Sequence, residues 1–398
     1  MKYIVIIGDG MADYSIKELN NQTPLQAACK PYMNQLVKNS LVGLVKTISD
    51  GMPIGSDVAN LSILGCNPYK YYTGRSPLEA IGMGLSLSNT DITYRCNLVT
   101  LSDKEIYEDK KMLDYSADEI TTGEAKKLID IINKQLRTQD AEFFCGIGYR
   151  NCMVWRNGIL EKNLMPPHDI LNQSVKDYLP SHNLLQNLMK CSYNILKNHE
   201  INIERKRKKQ YTANSIWLWG GGIKPSLPNF YQKYGVHGSV ISAVPLIKGI
   251  GMCMGLKSVQ VQGATGTIDT NFKAKAEAAL KELETKDFVY IHVEAPDECS
   301  HRGELKNKIL SIERIDEQIV KPILDKLEKT KEKYKLLIMP DHFTPLSLKI
   351  HTAEPVPFLL YKSDSLLQSY VDNYCEKEIK GTFIENIWDL MEFFIKKA

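Results

Sequence analysis

Carboxylate and imidazole side chains suited to metal binding occur in a few short segments of this 398-residue chain. The set is Asp9, Asp297, His301, Asp341, His342 and His351. Asp297 and His301 stand four residues apart at the start of a helical pattern, so both side chains can face one ion. A lone Asp–His pair is more often a structural hydrogen bond, but several buried carboxylates without cations would repel one another. The set therefore predicts two divalent ions of the Mn²⁺ or Zn²⁺ type.

Ser56 is the candidate nucleophile. It follows the turn-forming segment 50–55, which contains two glycines and a proline, and a helical pattern begins after it. A serine here is often an N-cap, and both roles can coexist because free N–H groups at a helix N-terminus favour a bound phosphate. A cation touching the hydroxyl would lower its pKa and prepare it to attack phosphorus. The residues thus indicate metal-assisted phosphoryl transfer.

Three apolar runs must position the acidic candidates. Residues 3–7 lead into Asp9, residues 288–293 into Asp297, and residues 335–339 into Asp341. Each run is typical of a strand buried on both faces of a parallel sheet, and such sheets bind ligands at the carboxyl ends of their strands. Helical patterns over 271–284 and 306–329 complete an alternation of strands and helices. We therefore predict a doubly wound α/β fold with one shared site.

The middle of the chain differs from the segments on either side in its hydrophobic patterns. From about residue 93 to about residue 237 the patterns are short and mixed, with a basic stretch at 205–209 and a glycine run at 220–222. Acidic candidates lie on both sides of this stretch. We therefore predict a discontinuous catalytic domain over 1–92 and 238–398, with an inserted α/β domain over 93–237 that closes over the site as a cap.

Composition argues against several classes of protein. Hydrophobic residues make up 43% and charged residues 24%, and the formal net charge of +3 gives no strong attraction to nucleic acid or anionic membrane. The nine cysteines are scattered and never form a CxxC pair, which disfavours a disulfide framework or a thiolate zinc site. The first apolar run is too short for a signal peptide or a membrane span. We expect a cytoplasmic protein that acts on a small molecule.

Further motifs connect these candidates to a known family. The segments are 9–11, 52–60 (MPIGSDVAN), 72–75, 95–100, 294–298 and 351–358, together with 114–117 and 213–220. From end to end they resemble the archaeal-type, cofactor-independent phosphoglycerate mutases of the alkaline phosphatase superfamily, the last two segments being closest to its bacterial branch. The first motif departs from the family at Gly8, where proline is usual. That change should alter loop stiffness without removing a ligand.

The resemblance implies an alkaline-phosphatase-like core and specific residue roles. One metal would be held by Asp9, Ser56, Asp341 and His342, and the second by Asp297, His301 and His351. Ser56 would take the phosphoryl group from 3-phosphoglycerate and return it to the 2-hydroxyl of the enclosed glycerate. Mn²⁺ is the first choice of ion, with Zn²⁺, Co²⁺ or Mg²⁺ as alternatives that depend on supply.

A phosphoglycerate carries a carboxylate and a phosphate, so cationic side chains must meet it. Arg75 and Arg95 lie inside matched motifs and are the first candidates for substrate binding, and Lys248 is the third. A structural ion pair is an equally good interpretation of each. Arg150 and His168, in the predicted insertion, are further candidates for reaching the substrate, but no spacing argument ranks them against the others.

Two other activities stay open. Some proteins of the bacterial branch have been proposed as homoserine kinases, and a metal-dependent phosphomonoesterase would use the same serine and metals. An assay with ATP and homoserine tests the first, and release of inorganic phosphate tests the second. A non-enzymatic metal-binding protein is disfavoured because all seven implied ligands are present. The oligomeric state stays open, a homo-oligomer included.

Overall fold

The computed structural model describes residues 1–365 and 367–397. In chain order the strands of this part are β1 (Lys2–Gly8), β2 (Ser40–Val45), β3 (Ile92–Leu101), β4 (Met112–Asp114), β5 (Ala141–Ile147), β6 (Arg150–Trp155), β7 (Ser215–Ile223), β8 (Gly238–Ile241), β9 (Lys257–Val259), β10 (Phe288–Val293), β11 (Tyr334–Met339), β12 (Val356–Lys362) and β13 (Thr382–Ile384). The α-helices are α1 (Pro24–Ala27), α2 (Pro31–Val37), α3 (Ser56–Ile63), α4 (Pro68–Tyr71), α5 (Arg75–Gly82), α6 (Thr122–Leu136), α7 (Asn183–Leu196), α8 (Glu200–Arg207), α9 (Phe230–Tyr234), α10 (Pro245–Cys253), α11 (Phe272–Leu283), α12 (Ala295–Arg302), α13 (Leu305–Ile315), α14 (Lys321–Thr330) and α15 (Trp388–Glu392). Short 3₁₀ turns cover Lys17–Leu19, Tyr107–Asp109, Pro167–Ile170 and Lys176–Tyr178, and π-helical turns cover Asp316–Val320 and Phe393–Lys397.

The chain divides into two compact units, Met1–Tyr72 with Ser226–Ala398 and Thr73–Pro225. Both borders lie earlier in the chain than the predicted borders at 92 and 237. Helix α5 joins the second unit because it packs on β3 and β7. Helix α9 joins the first unit, where the Phe230 ring lies 4.5 Å from the Phe288 ring. The assignment of these units as catalytic and cap domains stays a prediction.

The first unit is built on an eight-stranded mixed sheet with the order β13-β2-β12-β11-β1-β10-β8-β9. Strand β1 lies between β10 and β11 and pairs in parallel with both, so that Ile7 stands opposite His292 on one side and Met339 on the other. Parallel neighbours end at the same edge of a sheet. The segments that carry the acidic candidates therefore leave the sheet side by side.

Helices cover both faces of this sheet. Ile4 and Ile6 pack in an apolar cluster with residues of α11, α13 and α14. On the opposite face, the Tyr290 hydroxyl of β10 donates to Asn60 Oδ1 of α3 at 2.6 Å. Burial on both faces is the reason that β1 is continuously apolar. The predicted doubly wound α/β class is confirmed.

The predicted helix over 306–329 is observed as three consecutive pieces. Helix α13 ends at Ile315, a π-helical turn covers Asp316–Val320, and α14 begins at Lys321. The π-helical turn begins at Asp316, whose carboxylate accepts hydrogen bonds from the backbone N–H groups of Tyr32 and Met33. The other predicted helix, over 271–284, is α11.

The second unit has its own sheet and core. Strands β4, β3, β6 and β5 lie in that order, and β7 also pairs with β3. Helix α6 packs on β5 and α7 on β7, and their apolar side chains surround Tyr94 and Trp217. The unit is therefore an independent α/β structure. In the described part of the chain, no helix combines the length and the apolar character that a membrane span needs.

Candidate active site

The three aspartates of the predicted set lie together at the carboxyl edge of the first unit's sheet. Asp9 follows β1, Asp341 follows β11, and Asp297 lies in the first turn of α12, all of them buried. Asp341 Oδ1 accepts hydrogen bonds from the backbone N–H groups of Gly10 at 3.1 Å and His342 at 3.0 Å. The loops after β1 and β11 are thus joined directly, although 331 residues separate Gly10 from Asp341.

Two glycines shape the loop that carries Asp9. Gly10 has φ +59°, and a Cβ there would lie 2.6 Å from Asp297 Oδ1, so only glycine fits. A Cβ at Gly8, where the family usually has proline, would lie 2.5 Å from Met11 Sδ. In this chain the Met11 side chain fills the space that a side chain at position 8 would need.

His342 is the centre of the first group of predicted ligands. Its Nε2 lies 3.0 Å from Ser56 Oγ, 3.4 Å from Asp9 Oδ1 and 3.5 Å from Asp341 Oδ2. The ring is fully buried. The structure therefore brings Asp9, Ser56, Asp341 and His342 to one point.

Asp297 is the centre of the second group. Its Oδ2 lies 3.2 Å from His301 Nε2, and its Oδ1 lies 3.4 Å from His351 Nε2. The two imidazoles meet each other, with 3.0 Å between their Nε2 atoms. Burial opposes charge on His301, but the Asp297 carboxylate outweighs it and raises the pKa of His301 to about 9. Asp297, His301 and His351 therefore form a compact triad.

Ser56 is held at the start of α3. The N-cap residue is Gly55, so Ser56 occupies the first helical position and its side chain does not cap the helix. One turn later, Asn60 Nδ2 donates to the Ser56 carbonyl and to Asp341 Oδ2, both at 2.8 Å. The N-cap interpretation of Ser56 is therefore wrong, and the hydroxyl is directed at His342 instead.

The neighbours of two histidines determine which ring nitrogen carries the proton. His301 Nδ1 lies 2.8 Å from the Lys349 carbonyl, which only accepts, so Nδ1 donates. His342 Nδ1 lies 3.2 Å from Thr344 Oγ1, whose own proton is donated to Asp297 Oδ1 at 2.6 Å. In the neutral form of each ring Nε2 is left with the lone pair, which is the form that ligates a metal.

The electrostatics of the site fit divalent cations. Burial, followed by repulsion from Asp341 and Asp297, raises the pKa of Asp9 well above its ordinary value. Among the described residues Asp9 Oδ1 has no hydrogen-bond partner despite its burial. Donor atoms within 4.8 Å of one another form three triads: Asp297, His301 and His351; Asp9, His292 and Asp341; Asp9, Asp297 and His342. The carboxylate oxygens of these triads lie close to one another, and a divalent cation between them would neutralise their repulsion.

Four polar residues of the site regions were not among the sequence candidates: Asn60, Glu79, His292 and Thr344. His292 Nε2 lies 3.2 Å from Asp9 Oδ2, and burial lowers the pKa of His292 to about 4, so its ring is neutral. Asn60 could have been found, because it closes the matched segment 52–60 one helical turn after Ser56. His292 and Thr344 have no such signal, since one lies inside an apolar strand and the other in a loop.

The substrate-binding candidates occur in both units. In the second unit, Arg75 Nε donates to Glu79 Oε1 at 2.7 Å, and Arg95 Nε lies 3.0 Å from Glu79 Oε2. The Arg95 guanidinium also lies over the Trp219 ring, 4.3 Å from its centroid. In the first unit, Lys248 Nζ donates to Gln260 Oε1 at 3.2 Å.

The two unranked candidates lie in the second unit as well. The His168 ring packs edge-on against Trp219, with 5.5 Å between the ring centroids. The Arg150 guanidinium lies 4.9 Å from the centroid of the Tyr149 ring, and its charge contributes to lowering the pKa of Glu79. Arg75 and Arg95 thus share one carboxylate, and the charge of Arg150 favours its ionised form.

The chain is similar to one family along its whole length. A family model described as 2,3-bisphosphoglycerate-independent phosphoglycerate mutase matches residues 37–202. A probable 2,3-bisphosphoglycerate-independent phosphoglycerate mutase from Geobacter sulfurreducens is 45% identical over 403 residues, with 100% of each chain covered. A 2,3-bisphosphoglycerate-independent phosphoglycerate mutase from Methanosarcina acetivorans is 45% identical over 385 residues, with 96% of each covered.

Solved structures show the same likeness. The PH0037 protein from Pyrococcus horikoshii is 28% identical with a TM-score of 0.83, covering 100% of this chain and 98% of that one. A cofactor-independent phosphoglycerate mutase from Thermoplasma acidophilum is 23% identical with a TM-score of 0.63, covering 99% and 100%. The second likeness supports the fold alone.

Proposed function

Since this chain belongs to the 2,3-bisphosphoglycerate-independent phosphoglycerate mutase family, we propose that it interconverts 3-phosphoglycerate and 2-phosphoglycerate through a phosphoserine at Ser56. The observation that carries the proposal is the position of Ser56 Oγ, 3.0 Å from His342 Nε2 at the point where Asp9 and Asp341 also converge. A hydroxyl among buried carboxylates and an imidazole lone pair suits a nucleophile in phosphoryl transfer.

Two divalent cations belong to the proposal. Asp9, Ser56, Asp341 and His342 would hold one, and Asp297, His301 and His351 would hold the other. When bound, the cations neutralise charge on the transferring phosphoryl group and lower the pKa of the serine hydroxyl. We propose Mn²⁺ first, while the donor set also accepts Zn²⁺, Co²⁺ or Mg²⁺.

The protein's own residues position the two displacements. In the first, the Ser56 hydroxyl loses its proton and Oγ bonds to phosphorus as the bond from phosphorus to the 3-oxygen of the substrate breaks, and the 3-oxygen takes up a proton. In the second, the 2-hydroxyl of glycerate loses its proton and its oxygen bonds to phosphorus as the Ser56 Oγ–phosphorus bond breaks, and Oγ regains a proton. Asn60 keeps Ser56 and Asp341 in register through its two hydrogen bonds, and the N-terminus of α3 favours the negative phosphoryl group.

Binding of the substrate's carboxylate and phosphate is assigned to Arg75, Arg95 and Lys248. Arg75 and Arg95 both contact Glu79 through Nε, which supports this assignment. A guanidinium held at Nε has a fixed orientation, and its two Nη atoms can then bind an oxyanion together. We also propose a cytoplasmic location, since the nine cysteines are scattered along the sequence and never form a CxxC pair.

The test of the function compares wild type, Ser56→Ala and Ser62→Ala, each loaded with Mn²⁺ and supplied with 3-phosphoglycerate. Ser62 is the matched control, because it is a buried serine of the same helix whose hydroxyl donates to the Val58 carbonyl at 2.7 Å. We expect wild type and Ser62→Ala to equilibrate the two isomers, and Ser56→Ala to lose at least about a thousandfold in rate. Phosphorus NMR distinguishes both isomers from free phosphate.

Other outcomes separate the alternatives. If wild type releases inorganic phosphate and forms no 2-phosphoglycerate, its activity is that of a phosphomonoesterase and the mutase proposal fails. If wild type leaves 3-phosphoglycerate unchanged, the mutase proposal fails and an assay with ATP and homoserine follows. Full activity of Ser56→Ala would exclude the phosphoserine.

A further inference from the structure

We propose that His292 is a positioning residue for Asp9: its Nε2–H donates to Asp9 Oδ2 and thereby directs the other carboxylate oxygen, Oδ1, toward the first cation site. This inference rests on the proposed function only in taking Asp9 as a metal ligand. It assigns His292 a role outside the seven-residue ligand set implied by the family resemblance.

His292 is buried in the sheet beside Asp9. It lies in the apolar strand β10 and is fully buried. Its Nε2 lies 3.2 Å from Asp9 Oδ2. This contact has the length of a hydrogen bond but not its alignment, and Nε2 has no hydrogen-bond partner among the described residues. An imidazole buried without a partner would be costly, so the facing carboxylate is its natural acceptor.

The other ring nitrogen indicates which tautomer is present. Ser242 Oγ lies 3.5 Å from His292 Nδ1 and accepts a hydrogen bond from the backbone N–H of Val244 at 3.0 Å. The Ser242 hydroxyl proton remains to be donated, and Nδ1 is the ring atom that faces it. In the proposed arrangement Nδ1 accepts this proton, and the proton of the neutral ring is on Nε2, next to Asp9.

This tautomer separates His292 from the histidines of the ligand set. In the neutral forms of His301 and His342, Nδ1 donates and Nε2 keeps the lone pair, because the Lys349 carbonyl and Thr344 hydroxyl act as acceptors. His292 has the opposite arrangement, which suits a hydrogen-bond donor and not a ligand. Its backbone is held as well, since the His292 carbonyl accepts from the buried Lys275 Nζ at 3.0 Å.

The consequence is a fixed Asp9 carboxylate. With Oδ2 bound by His292, Oδ1 is the oxygen directed into the ligand group, 3.4 Å from His342 Nε2. A carboxylate that is free to rotate would lose entropy on binding a cation, whereas one already held does not. Removal of such an outer hydrogen bond costs about 10–100-fold in metal affinity.

The experiment titrates metal-stripped full-length protein with Mn²⁺ by calorimetry. His292→Phe removes the donor and keeps a ring, and His292→Gln places an amide donor near the position of Nε2. We expect His292→Phe to weaken one Mn²⁺ binding event about 10–100-fold and His292→Gln to restore most of the affinity. Ile291→Val is the control, because it perturbs the same strand on the opposite face and should lower thermal stability without changing Mn²⁺ affinity.

Ser242→Ala provides a test that keeps the imidazole, should His292→Phe fail to fold. It removes the hydroxyl that selects the tautomer, and we expect the same binding event to weaken by about three- to tenfold. Wild-type affinity in both His292→Phe and Ser242→Ala would overturn the inference. Equal losses in His292→Phe and His292→Gln, with a changed visible absorption spectrum of bound Co²⁺, would also overturn it and make His292 a ligand.

Asp9→Asn in the same titration separates this inference from the proposed function. If wild type binds no Mn²⁺, or Asp9→Asn binds it as wild type does, the proposed metal site and the inference both fail. If Asp9→Asn weakens one event and His292→Phe leaves it unchanged, only the role of His292 is wrong.

Discussion

Glu79 holds two arginines with the two oxygens of one carboxylate. Oε1 accepts from Arg75 Nε at 2.7 Å, and Oε2 lies 3.0 Å from Arg95 Nε. Burial alone would raise the pKa of Glu79, but Arg95 and Arg75 lower it below its ordinary value, so the carboxylate is charged at neutral pH. The Trp219 ring supports the second guanidinium from one face. The orientation of both arginines therefore depends on one acidic residue.

Glu79→Gln should impair substrate binding more than chemistry. The amide keeps the size of the side chain but loses the charge that forms a hydrogen-bonded ion pair with Arg75 and an ion pair with Arg95, so the two arginines are no longer held in place. We expect KM for 3-phosphoglycerate to rise about tenfold and kcat to change less than about threefold. Steady-state kinetics of the Mn²⁺-loaded protein measures both.

A second ion pair of the same unit supplies the control. Glu142 lies 2.7 Å from Arg137 Nη2 and is not among the proposed binding residues. Glu142→Gln should leave KM unchanged. An unchanged KM in Glu79→Gln, or an equal rise in Glu142→Gln, would contradict the role given to the two arginines.

Helix α11 is attached to the sheet of the first unit through Glu282. The carboxylate accepts hydrogen bonds from Ser239 Oγ of β8 at 2.6 Å and from Lys257 Nζ of β9 at 2.7 Å, and it also contacts Lys286. Burial would raise the pKa of Glu282, but the hydrogen bonds from Lys257, Lys286 and Ser239 lower it to about 2. The end of α11 and the outer strands are thus linked by one charged group.

Glu282→Gln should destabilise the first unit in a pH-dependent way. Because the folded-state pKa lies below the unfolded value, the stabilisation is fully present above about pH 4.5 and is lost as the pH falls toward 2. We expect the free energy of unfolding to drop by about 2–3 kcal/mol at pH 7. Denaturant titrations of both proteins between pH 7 and pH 3 measure the difference.

The exposed Glu277 of the same helix is the reference for this experiment. Glu277→Gln should change the free energy of unfolding by less than about 0.5 kcal/mol at either pH. A difference between wild type and Glu282→Gln that stays constant down to pH 3 would show that the carboxylate charge is not responsible.

All seven proposed metal ligands lie in the first unit, and they come from both of its chain segments. Asp9 and Ser56 precede the second unit in sequence, whereas Asp297, Asp341 and the three histidines follow it. Cations at this site would therefore connect parts of the chain that are hundreds of residues apart. We expect them to raise the free energy of unfolding of the first unit.

Mn²⁺ should consequently stabilise the first unit and leave the second unaffected. At a concentration of about 100 times Kd, one bound ion adds about 2.7 kcal/mol to the free energy of unfolding. We expect slower hydrogen exchange at residues 8–13, 294–302 and 340–352 when Mn²⁺ is added to metal-stripped protein, and unchanged exchange in β5 and β6. Equal protection of both units would contradict a site confined to the first.

The α/β class, the three strand-end aspartates and the family were all within reach of the sequence. Long apolar runs that end in an acidic residue identify buried parallel strands without any knowledge of their neighbours. The motif around Ser56 identified the serine, although its assignment as an N-cap was wrong because Gly55 takes that position. The single helix predicted over 306–329 is divided by a π-helical turn that begins at Asp316, whose carboxylate has partners in a distant segment. Local periodicity predicts strands and helices, but it does not predict the exact residue at which a helix begins or is divided.

Only the tertiary structure decided which polar atoms face one another. The ion pair of Glu79 with Arg95 and the contact of His292 with Asp9 have no signature in local sequence, because the partners are distant in the chain. Strand order and register bring His292 to Asp9, because β1 pairs with β10 and thereby places Ile7 opposite His292. Sequence determines the donors that a chain offers, whereas the direction of each donor follows from long-range packing.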